Sequence, residues 1–424
     1  MLTLAIAIAI LFLFIGAPIF VVFGLLGTLV GVWFLGLPPA ALAEIMLSGV
    51  NIWVLVAVPF FILAGNLMVH GGLARRIFDC VDSFTGHFYG GLAISVIGAC
   101  TIFSAISGSS LATASAIGSI SLPSMAKSGY PSKFSTGLIA VSGTLGNLIP
   151  PSIYLIILGS VLELSVGKLF MAGVLPGLLI AFFISLTASG ISYKNRYAMK
   201  PPASWKTRGK SLVLALPSFT MPFIVLGGIY GGIFTPTEAA AVAVLFSFLV
   251  GFFIYRELNF EKIWKSLGNS MNTTCMVYFL IGMAVLMNKF FSYTNLPQEI
   301  TKIVVSSTLS PTSYMLLACL LLVVFGCFLD ALPIIYICGP LLFPAAVNLG
   351  INPIQFCIIL TVCLLIGQVT PPVGLVLYGT ASFSGEKVNN VIIGSIPFLL
   401  AMIAGLIVIV IWPDLSMFLP SFMD

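Results

Sequence analysis

The sequence predicts an all-α polytopic membrane protein. Two observations support this prediction, the high content of apolar residues and one motif that occurs twice. Hydrophobic residues make up 60% of the 424 positions, charged residues make up 7%, and the mean hydropathy is +1.19. The chain therefore contains many runs of the roughly 20 apolar residues that cross a bilayer as a helix. Inside two such runs, the motif GNLIPP at 146–151 returns as GQVTPP at 367–372, an offset of 367 − 146 = 221 residues.

The same offset holds outside the motif and indicates an internal duplication. Three further pairs obey it: Gly118 with Gly339, Pro123 with Pro344, and Gly129 with Gly350. Each motif places Gly and Pro inside an apolar segment, so each segment is predicted to be a broken helix. Matching breaks in two halves of a chain are typical of secondary transporters, in which the freed backbone groups bind ions.

Other classes of protein fit the composition poorly. A transmembrane barrel needs segments of about 10 residues with alternating polarity, whereas 168–191 and 388–412 are apolar on all sides. The eight cysteines form no CxxC pair, and we interpret them as small buried residues rather than disulfides or metal ligands. The net charge of +5 comes mostly from a few loops, so no nucleic-acid partner is expected.

The N-terminal segment is predicted to be retained membrane structure. It lacks the basic start and the small-residue cleavage site of a secretory signal, and its apolar run continues to about Leu37. A helix over 2–36 would be about 50 Å long, which exceeds a bilayer core. It is therefore either tilted or broken at 16–18, where the sequence reads Gly-Ala-Pro, and a break would change the side on which the chain begins.

Basic residues orient the chain. Six Lys or Arg and no acidic residue lie in 194–210, so this linker between the halves is expected to face the cytoplasm. From that anchor, the basic loops near 75–76, 127–133, 256–265 and Lys387 all fall on the cytoplasmic side if each broken segment crosses once. This agreement predicts two re-entrant helical hairpins.

The hairpins are predicted over 89–127 and 311–350. Each is too long for one crossing and too short for two crossings with a loop, and each has a polar or small-residue centre, at 104–110 and 326–333. The first enters from the cytoplasm and the second from the opposite side, which makes the repeats inverted. Because non-helical backbone at membrane depth must be buried or line a wet cavity, we expect both tips and both breaks to meet.

The remaining elements follow from apolar runs between these landmarks. Surface connecting helices are predicted at 71–88 and 293–308. Full spans are predicted at 46–69, 133–160, 168–193, 212–232, 236–255, 266–290, 353–382 and 388–412. The resulting division is a first scaffold part with its arm (1–88), a first transport part (89–165), a second scaffold part with the linker 194–211 and the second arm (166–308), a second transport part (309–385), and a C-terminal helix and tail (386–424).

One carboxylate stands alone in the second half. Asp330 is the only charged side chain between Lys302 and Glu386, and it lies at the predicted tip of the second hairpin. A carboxylate at membrane depth is a functional hypothesis by default. It would ligate a cation, relay a proton, or simply cap the following helix, and the sequence leaves these alternatives open.

Two cation sites are predicted where the tips meet the breaks. Hard cations such as Na+ prefer oxygen ligands, and carbonyl groups before a proline stay free because the proline blocks the helix. The first site is predicted to use the tip with its break, and the second the matching elements of the other half; the alternative is a packing kink at each break. The residues are Ser107, Ser109, Gly146, Ile149 and Pro151 for the first site, and Asp330, Gly367, Thr370 and Pro372 for the second.

An anionic substrate is predicted to bind at the positive ends of the half-helices. Half-helices start near Ser110, Ser152, Ala331 and Val373, and their positive ends attract anions. No Lys or Arg lies in these segments. Recognition is therefore expected from helix dipoles, hydroxyls and amides, namely Ser110, Asn147, Ser152 and Gln368.

Four phrases of the sequence carry a family resemblance. They are ISGSSLATASAIGS at 106–119, GTLGNLIPPS at 143–152, GGIFTPTEAAAVAV at 231–244 and VPFFILAGNLM at 58–68. They resemble the large membrane subunit of tripartite ATP-independent periplasmic (TRAP) transporters, over essentially the whole chain. The resemblance implies a sodium-driven secondary importer of the bacterial inner membrane with an elevator-type architecture, and it implies sodium ligands at the same residues as above.

The resemblance also implies partners. These are a soluble periplasmic protein that captures the substrate, a small four-helix membrane subunit, the surrounding phospholipid, and a carboxylate such as a C4-dicarboxylate or sialic acid. The small subunit is expected on a separate chain, since no four-helix segment precedes this one. Glu238, in GGIFTPTEAA, is interpreted either as a helix-starting acid or as a residue of subunit contact or transport.

Alternative functions stay open at this point. A stand-alone sodium/dicarboxylate symporter would share the hairpins and the elevator. A channel would need a continuous polar pore, whereas the polar residues here form two matched patches. A membrane enzyme would need a nucleophile beside a base, and the two histidines, His70 and His87, both fall in or beside the first surface connector; no enzymatic activity is expected.

Overall fold

The chain is helical in the computed structural model, which describes residues 8, 11–12, 15–33, 36–197, 200–293, 295–307 and 309–423. No strand occurs in these ranges. The helices are α1 (Ile19–Trp33), α2 (Pro39–Val50), α3 (Ala57–His70), α4 (Leu73–Thr85), α5 (Gly91–Ser107), α6 (Ser110–Lys127), α7 (Ser132–Gly143), α8 (Ile153–Val161), α9 (Val166–Lys194), α10 (Trp205–Tyr230), α11 (Pro236–Leu249), α12 (Phe260–Tyr293), α13 (Leu296–Ser306), α14 (Pro311–Phe328), α15 (Ala331–Asn348), α16 (Pro353–Gln368), α17 (Leu375–Ser384), α18 (Val388–Ile411) and α19 (Asp414–Met417).

The predicted membrane class is confirmed. Eight stretches of the described residues are long and apolar enough to cross a membrane. They are Trp53–His70, Val166–Lys194, Trp205–Tyr230, Pro236–Ile254, Phe260–Tyr293, Pro311–Phe328, Ala331–Asn348 and Val388–Ile411.

Both predicted hairpins consist of two helices joined by a short turn. In the first, α5 ends at Ser107 and α6 starts at Ser110, with Gly108 in the left-handed conformation at φ +61°. In the second, α14 ends at Phe328 and α15 starts at Ala331. The depth to which each hairpin enters the membrane, and hence its re-entrant path, stays a prediction.

Both predicted breaks interrupt a helix where the motif lies. The first break follows α7 and a 3₁₀ turn at Thr144–Asn147, and α8 resumes at Ile153. The second break separates α16, which ends at Gln368, from α17, which starts at Leu375. In both, the missing N–H of the prolines prevents the helix from continuing through the motif.

Three predicted spans differ from the observed helices. The span predicted at 46–69 is wrong in its first part, because α2 ends at Val50 and a new helical stretch starts at Trp53. The span predicted at 212–232 starts earlier, since the Ser204 hydroxyl caps α10 at the Thr207 N–H (3.2 Å). The span predicted at 266–290 belongs to the longer α12. Capping side chains set the observed starts of α10 and α12, where Ser204 and Asn259 accept from the N–H groups of Thr207 and Lys262.

At the N-terminus, the break is observed within the described residues. Gly16 adopts φ +82°, and α1 starts after Pro18. Most of the predicted segment before Gly16 lies outside the described residues. The two predicted connectors form the short helices α4 and α13, and their position at the membrane surface stays a prediction.

Glu238 proves to be a helix-starting acid. Its carboxylate accepts from the backbone N–H of Thr235 at 2.8 Å, while the Thr235 hydroxyl accepts from the Glu238 N–H at 3.3 Å. This reciprocal pair is a capping box at the start of α11. The structural interpretation of Glu238 is thereby confirmed.

Candidate functional site

The first hairpin tip packs directly on the first break. The Ser107 hydroxyl bonds to the Thr113 hydroxyl at 2.6 Å, and the Ile153 N–H donates to the Gly108 carbonyl at 3.5 Å. A Cβ atom added to Gly146 would lie 2.5 Å from the Ser109 carbonyl oxygen, so only glycine permits this approach. The turn of the tip and the backbone of the break therefore form one unit.

This unit presents free main-chain oxygens. Within the described ranges, the carbonyls of Ile149 and Pro151 accept no hydrogen bond, although both residues are buried. The Pro151 oxygen faces the tip, 2.9 Å from the position of a Cβ on Gly108. The Ile149 side chain points elsewhere, against Gly177 of α9, so its main chain is the part available to a cation.

The second tip and break repeat this arrangement. The Val373 N–H donates to the Cys327 carbonyl at 3.1 Å, and a Cβ on Gly367 would lie 2.6 Å from the Gly326 Cα. The Thr370 hydroxyl donates to the Ile366 carbonyl at 2.6 Å, which leaves its lone pairs free. The structure thus places Gly367 and Val373 of the second break against the end of α14, just before the second tip.

The two breaks differ in exposure. Pro150 and Pro151 are buried, whereas Pro371 and Pro372 are exposed on this chain. The carbonyls of Thr370 and Pro372 likewise accept no hydrogen bond from the described residues. The second break is therefore open at its surface, while the first is enclosed by protein.

Asp330 caps the second hairpin's returning helix. Its Oδ1 accepts from the Ala331 N–H at 2.7 Å, which confirms the capping interpretation. The same carboxylate lies beside the side-chain amide of Gln368. One capping bond leaves further acceptor capacity on the carboxylate, so capping does not exclude a role in binding.

A central cavity of about 480 Å³ joins the two halves. Its polar lining comes from Ser109, Ser110, Asn147 and Tyr154 of the first half, from Thr273 of α12, and from Asp330 and Gln368 near the second tip and break. Much of the rest of its wall is apolar and includes Phe20, Ile62, Met276, Val277, Leu280, Leu332 and Val376. The size of the cavity and its mostly apolar wall with a few fixed polar groups are typical of small-molecule binding sites.

Three of the four predicted substrate residues line this cavity. Asn147 donates through Nδ2 to the Ser110 hydroxyl at 2.8 Å, and Gln368 comes from the second broken helix. Ser152 is not among the lining residues, because its buried hydroxyl donates to the Asn147 carbonyl at 2.5 Å and accepts from the Leu155 N–H. Its observed contacts are those of a helix cap.

Sequence reasoning missed two residues of the site. Tyr154 of α8 accepts a 2.5 Å hydrogen bond from the Gln368 Nε2 and is buried. Thr113, one turn into α6, holds the Ser107 hydroxyl. Thr113 lies inside the sequence segment 106–119 that carries the family resemblance, so that motif could have identified it. No local sequence pattern distinguishes Tyr154.

A second cavity of about 530 Å³ adjoins the first hairpin tip. It shares Ser109 and Leu111 with the central cavity, and its other walls include Asn66, Asn269 and Asn272 of α3 and α12. The tip of the first hairpin thus stands between a mostly apolar binding cavity and an amide-rich one.

Comparison with known proteins agrees with this architecture. Residues 6–415 match the family model described as "Tripartite ATP-independent periplasmic transporter, DctM component". The chain belongs to the DctM family. It is 40% identical to the C4-dicarboxylate TRAP transporter large permease protein DctM of Pseudomonas aeruginosa, over 88% of this chain and 87% of that protein.

Further members of the DctM family differ in the substrate that they are named for. The sialic acid TRAP transporter large permease protein SiaM of Vibrio cholerae is 35% identical over 89% of each chain. Among solved structures, the YdaH transporter of Alcanivorax borkumensis superposes with a TM-score of 0.63 at 14% identity, covering 88% of this chain and 87% of that one; at this identity the likeness shows the fold alone. This DctM-family chain is an inner-membrane transport permease, and its family implies a substrate-binding protein and a small membrane subunit as partners.

Proposed function

We propose that this chain imports a small organic anion through the central cavity, driven by a sodium gradient. The observation that carries the proposal is the set of free carbonyls beside each hairpin tip, those of Ile149 and Pro151 in the first break and of Thr370 and Pro372 in the second. Such groups bind a hard cation without a buried counter-charge of their own. In the described residues, no cluster of three His, Cys, Asp or Glu offers an alternative metal site.

At least two sodium ions would bind, one in each half. The first site comprises Ser107, Ser109, Gly146, Ile149 and Pro151. The second comprises Gly367, Thr370 and Pro372 with the tip at Asp330, whose carboxylate contributes negative charge. Sodium is transported here as the coupling ion, and its binding would fix each tip against its break.

The position of the central cavity supports an elevator mechanism. One side of the cavity consists of the tips and breaks, which form the proposed transport parts 89–165 and 309–385. The other side comes from α3 and α12 through Ile62, Thr273 and Met276, which belong to the proposed scaffold. A substrate in this cavity lies at the boundary between the two parts and would move with the tips.

Delivery by a periplasmic capture protein and assembly with a small membrane subunit complete the proposed cycle. The substrate is proposed to be a carboxylate, in the class that includes C4-dicarboxylates and sialic acid, for which the compared relatives are named. The second candidate function is a stand-alone symporter of related fold that needs no capture protein.

Reconstitution tests this proposal. We would purify the chain with its small subunit, incorporate both into liposomes, and measure uptake of labelled succinate and sialic acid with a capture protein under inward Na+, K+ or H+ gradients. Sodium-dependent uptake that requires the capture protein supports the proposal. Uptake without the capture protein favours the stand-alone symporter, and uptake indifferent to sodium contradicts the coupling.

A matched pair of variants locates the ion. Ser109→Ala removes a hydroxyl at the first tip, whereas Ser119→Ala removes an exposed hydroxyl on the same helix that donates only to the Ala116 carbonyl. We expect the first variant to weaken the sodium dependence of uptake and the second to leave it unchanged.

A further inference from the structure

The second cavity, beside the first hairpin tip, carries no carboxylate. Among the described residues that line this amide-rich cavity, none is Asp, Glu, Lys or Arg, and its histidine, His70, lies in the last turn of α3. Asp330, by contrast, lines the central cavity. The two cavities share Ser109 and Leu111 at the start of α6. An acid group that moves past this tip therefore leaves the neighbourhood of Asp330 and meets no other carboxylate.

Two helices begin at the wall of the amide-rich cavity. Leu111 and Ala112 belong to the first turn of α6, and Ile153 is the first residue of α8. The N-terminal end of a helix carries a partial positive charge, which attracts anions. Neither first turn contains an acidic residue that would neutralise it. The backbone therefore favours an anion in this cavity although no Lys or Arg lines it.

Two amides of α12 add hydrogen-bond donors that are not in use. Asn269 and Asn272 line the cavity, both are exposed, and neither side chain bonds to another described residue. The third amide is committed, because Asn66 Nδ2 donates to the Ile62 carbonyl at 3.1 Å and to the Ser270 hydroxyl at 2.9 Å. The free N–H groups are therefore those from α12.

The first tip supplies one further donor. Ser109 Oγ accepts from the Ala112 N–H at 3.5 Å, and its own O–H has no acceptor among the described residues. The hydroxyls of Ser115 and Thr273 donate to main-chain carbonyls of their own helices. Donors for an acid group thus come from both the tip and α12, and no acceptor on the described wall carries a negative charge.

The α12 amides lie in a helix that is long and apolar enough to cross a membrane. An amide that faces hydrocarbon loses the hydrogen bonds that it makes to water, so Asn269 and Asn272 require water or a ligand in this cavity. Their spacing places them on one face of α12 with Thr273, and Thr273 lines the central cavity as well. One polar helix face therefore joins the two cavities.

We propose that the amide-rich cavity is a second binding site for an acid group, which receives the carboxylate of the substrate after it has passed the first tip. The N–H groups of Asn269 and Asn272 and the O–H of Ser109 bind the carboxylate oxygens, and the starts of α6 and α8 stabilise its charge. The basic loop at 256–265 is predicted to face the cytoplasm, so this site lies on the release side. The inference rests on the proposed function, because it takes the central cavity as the transport site.

Charged thiol reagents test the preference for an anion without requiring transport. Val69 lines the amide-rich cavity, and Cys275 is the exposed native cysteine, so Val69→Cys in a Cys275→Ser chain provides a reporter thiol. The chain with its small subunit in lipid nanodiscs is labelled at saturating Na+ with sulfonatoethyl or trimethylammonioethyl methanethiosulfonate. Each rate is divided by the rate with free 2-mercaptoethanol. We expect the anionic reagent to react at least about fivefold faster than the cationic one.

Substitutions of Asn272 separate anion binding from simple wetting of the cavity. Asn272→Asp keeps the shape and the polarity of the side chain but adds a negative charge, so it should remove or reverse the preference. Asn272→Leu should reduce the preference several-fold, whereas Asn272→Gln, which keeps the N–H donors, should retain it. Asn348→Asp is the matched control, because Asn348 is exposed at the end of α15 and does not line the cavity.

Acetate links this preference to a carboxylate. We expect acetate to slow labelling by the anionic reagent in the reporter chain and to have no effect in Asn272→Asp, with chloride at the same ionic strength as the reference. In the liposome assay, Asn272→Asp should lower the maximal rate of uptake several-fold and leave its dependence on sodium concentration unchanged.

The opposite results would overturn the inference. Equal or faster reaction of the cationic reagent in the reporter chain contradicts it, as does an anion preference that Asn272→Asp leaves intact. If Asn272→Asp unfolds at a lower temperature than the reporter chain, Asn269→Asp takes its place. Sodium-driven uptake without an anion preference at this cavity leaves the proposed function standing and contradicts this inference, whereas an anion preference without sodium-driven uptake does the reverse.

Discussion

Asn147 and Gln368 occupy the same position in the two broken helices, 368 − 147 = 221 residues apart, yet they hydrogen-bond to different partners. Asn147 donates to Ser110 of its own half, at 2.8 Å. Gln368 crosses to the other half and donates to Tyr154 at 2.5 Å. The Tyr154–Gln368 bond ties the helix after the first break to the end of the helix before the second.

Removing the Tyr154 hydroxyl is expected to disturb the site more than the fold. Tyr154→Phe should cost about 1 kcal/mol of stability and should raise the substrate KM several-fold, because the Gln368 amide loses the group that orients it. Tyr314→Phe is the matched control, since it deletes a 2.7 Å bond to the Leu342 carbonyl within the second hairpin. Uptake kinetics and thermal unfolding of both variants check this; equal KM changes would contradict it.

The proposed first sodium site should not tolerate a side chain at Gly146. In Gly146→Ala, the new Cβ would lie 2.5 Å from the Ser109 carbonyl oxygen, so the tip must move away from the break. We expect the stabilisation of the protein by Na+, measured as a shift in unfolding temperature between Na+ and K+ buffers, to be lost. Gly190→Ala, in α9 with no neighbour within 4 Å, should keep the full shift.

Close glycine contact should hold the first broken helix against the C-terminal span. A Cβ on Gly137 of α7 would lie 2.1 Å from the backbone of Gly394 in α18, and small residues permit such approach between membrane helices. Gly137→Ala is expected to lower the unfolding temperature and the yield of folded protein. Gly227→Ala, at a helical position without neighbours within 4 Å, should leave both unchanged or raise them, because alanine favours the helix.

Glu386 gives the fold a pH dependence outside the membrane spans. Hydrogen bonds from Ser132, Asn390 and the Lys387 N–H lower the pKa of this carboxylate from 4.5 to about 2. Because the folded pKa is depressed, the stabilisation is complete above pH 4.5 and is lost as the pH falls towards about 2. Thermal unfolding of wild type and Glu386→Gln should show a stability difference that shrinks as the pH falls over that interval. A difference that stays constant would contradict the lowered pKa of Glu386.

Much of the site was predictable because its signals are local. Gly and Pro at a fixed offset mark the breaks, and Ser107, Ser109 and Asp330 mark the tips. The observed packing of each tip on its own break follows from those positions. The capping box at Glu238 is also a local pattern, with the threonine three residues before the acid.

Other features depended on contacts that no local pattern encodes. The predicted span 46–69 proved to contain two helical stretches, because the hydropathy of a window does not fix where a helix ends. Ser152 matched the pattern of a binding hydroxyl, but its position beneath the break made it a cap. Tyr154 looked like one more aromatic residue of an apolar helix.

The sequence by itself determined the membrane class, the duplication, the two hairpins and the two breaks, because hydropathy and the conformational limits of Gly and Pro act along the chain over a few residues. The tertiary structure decided that the side-chain oxygens of Asn147 and Gln368 have no hydrogen-bond partner among the described residues, and which half each amide contacts. These depend on distances between residues more than 200 positions apart, such as Tyr154 and Gln368, and on the extra methylene by which glutamine reaches farther than asparagine.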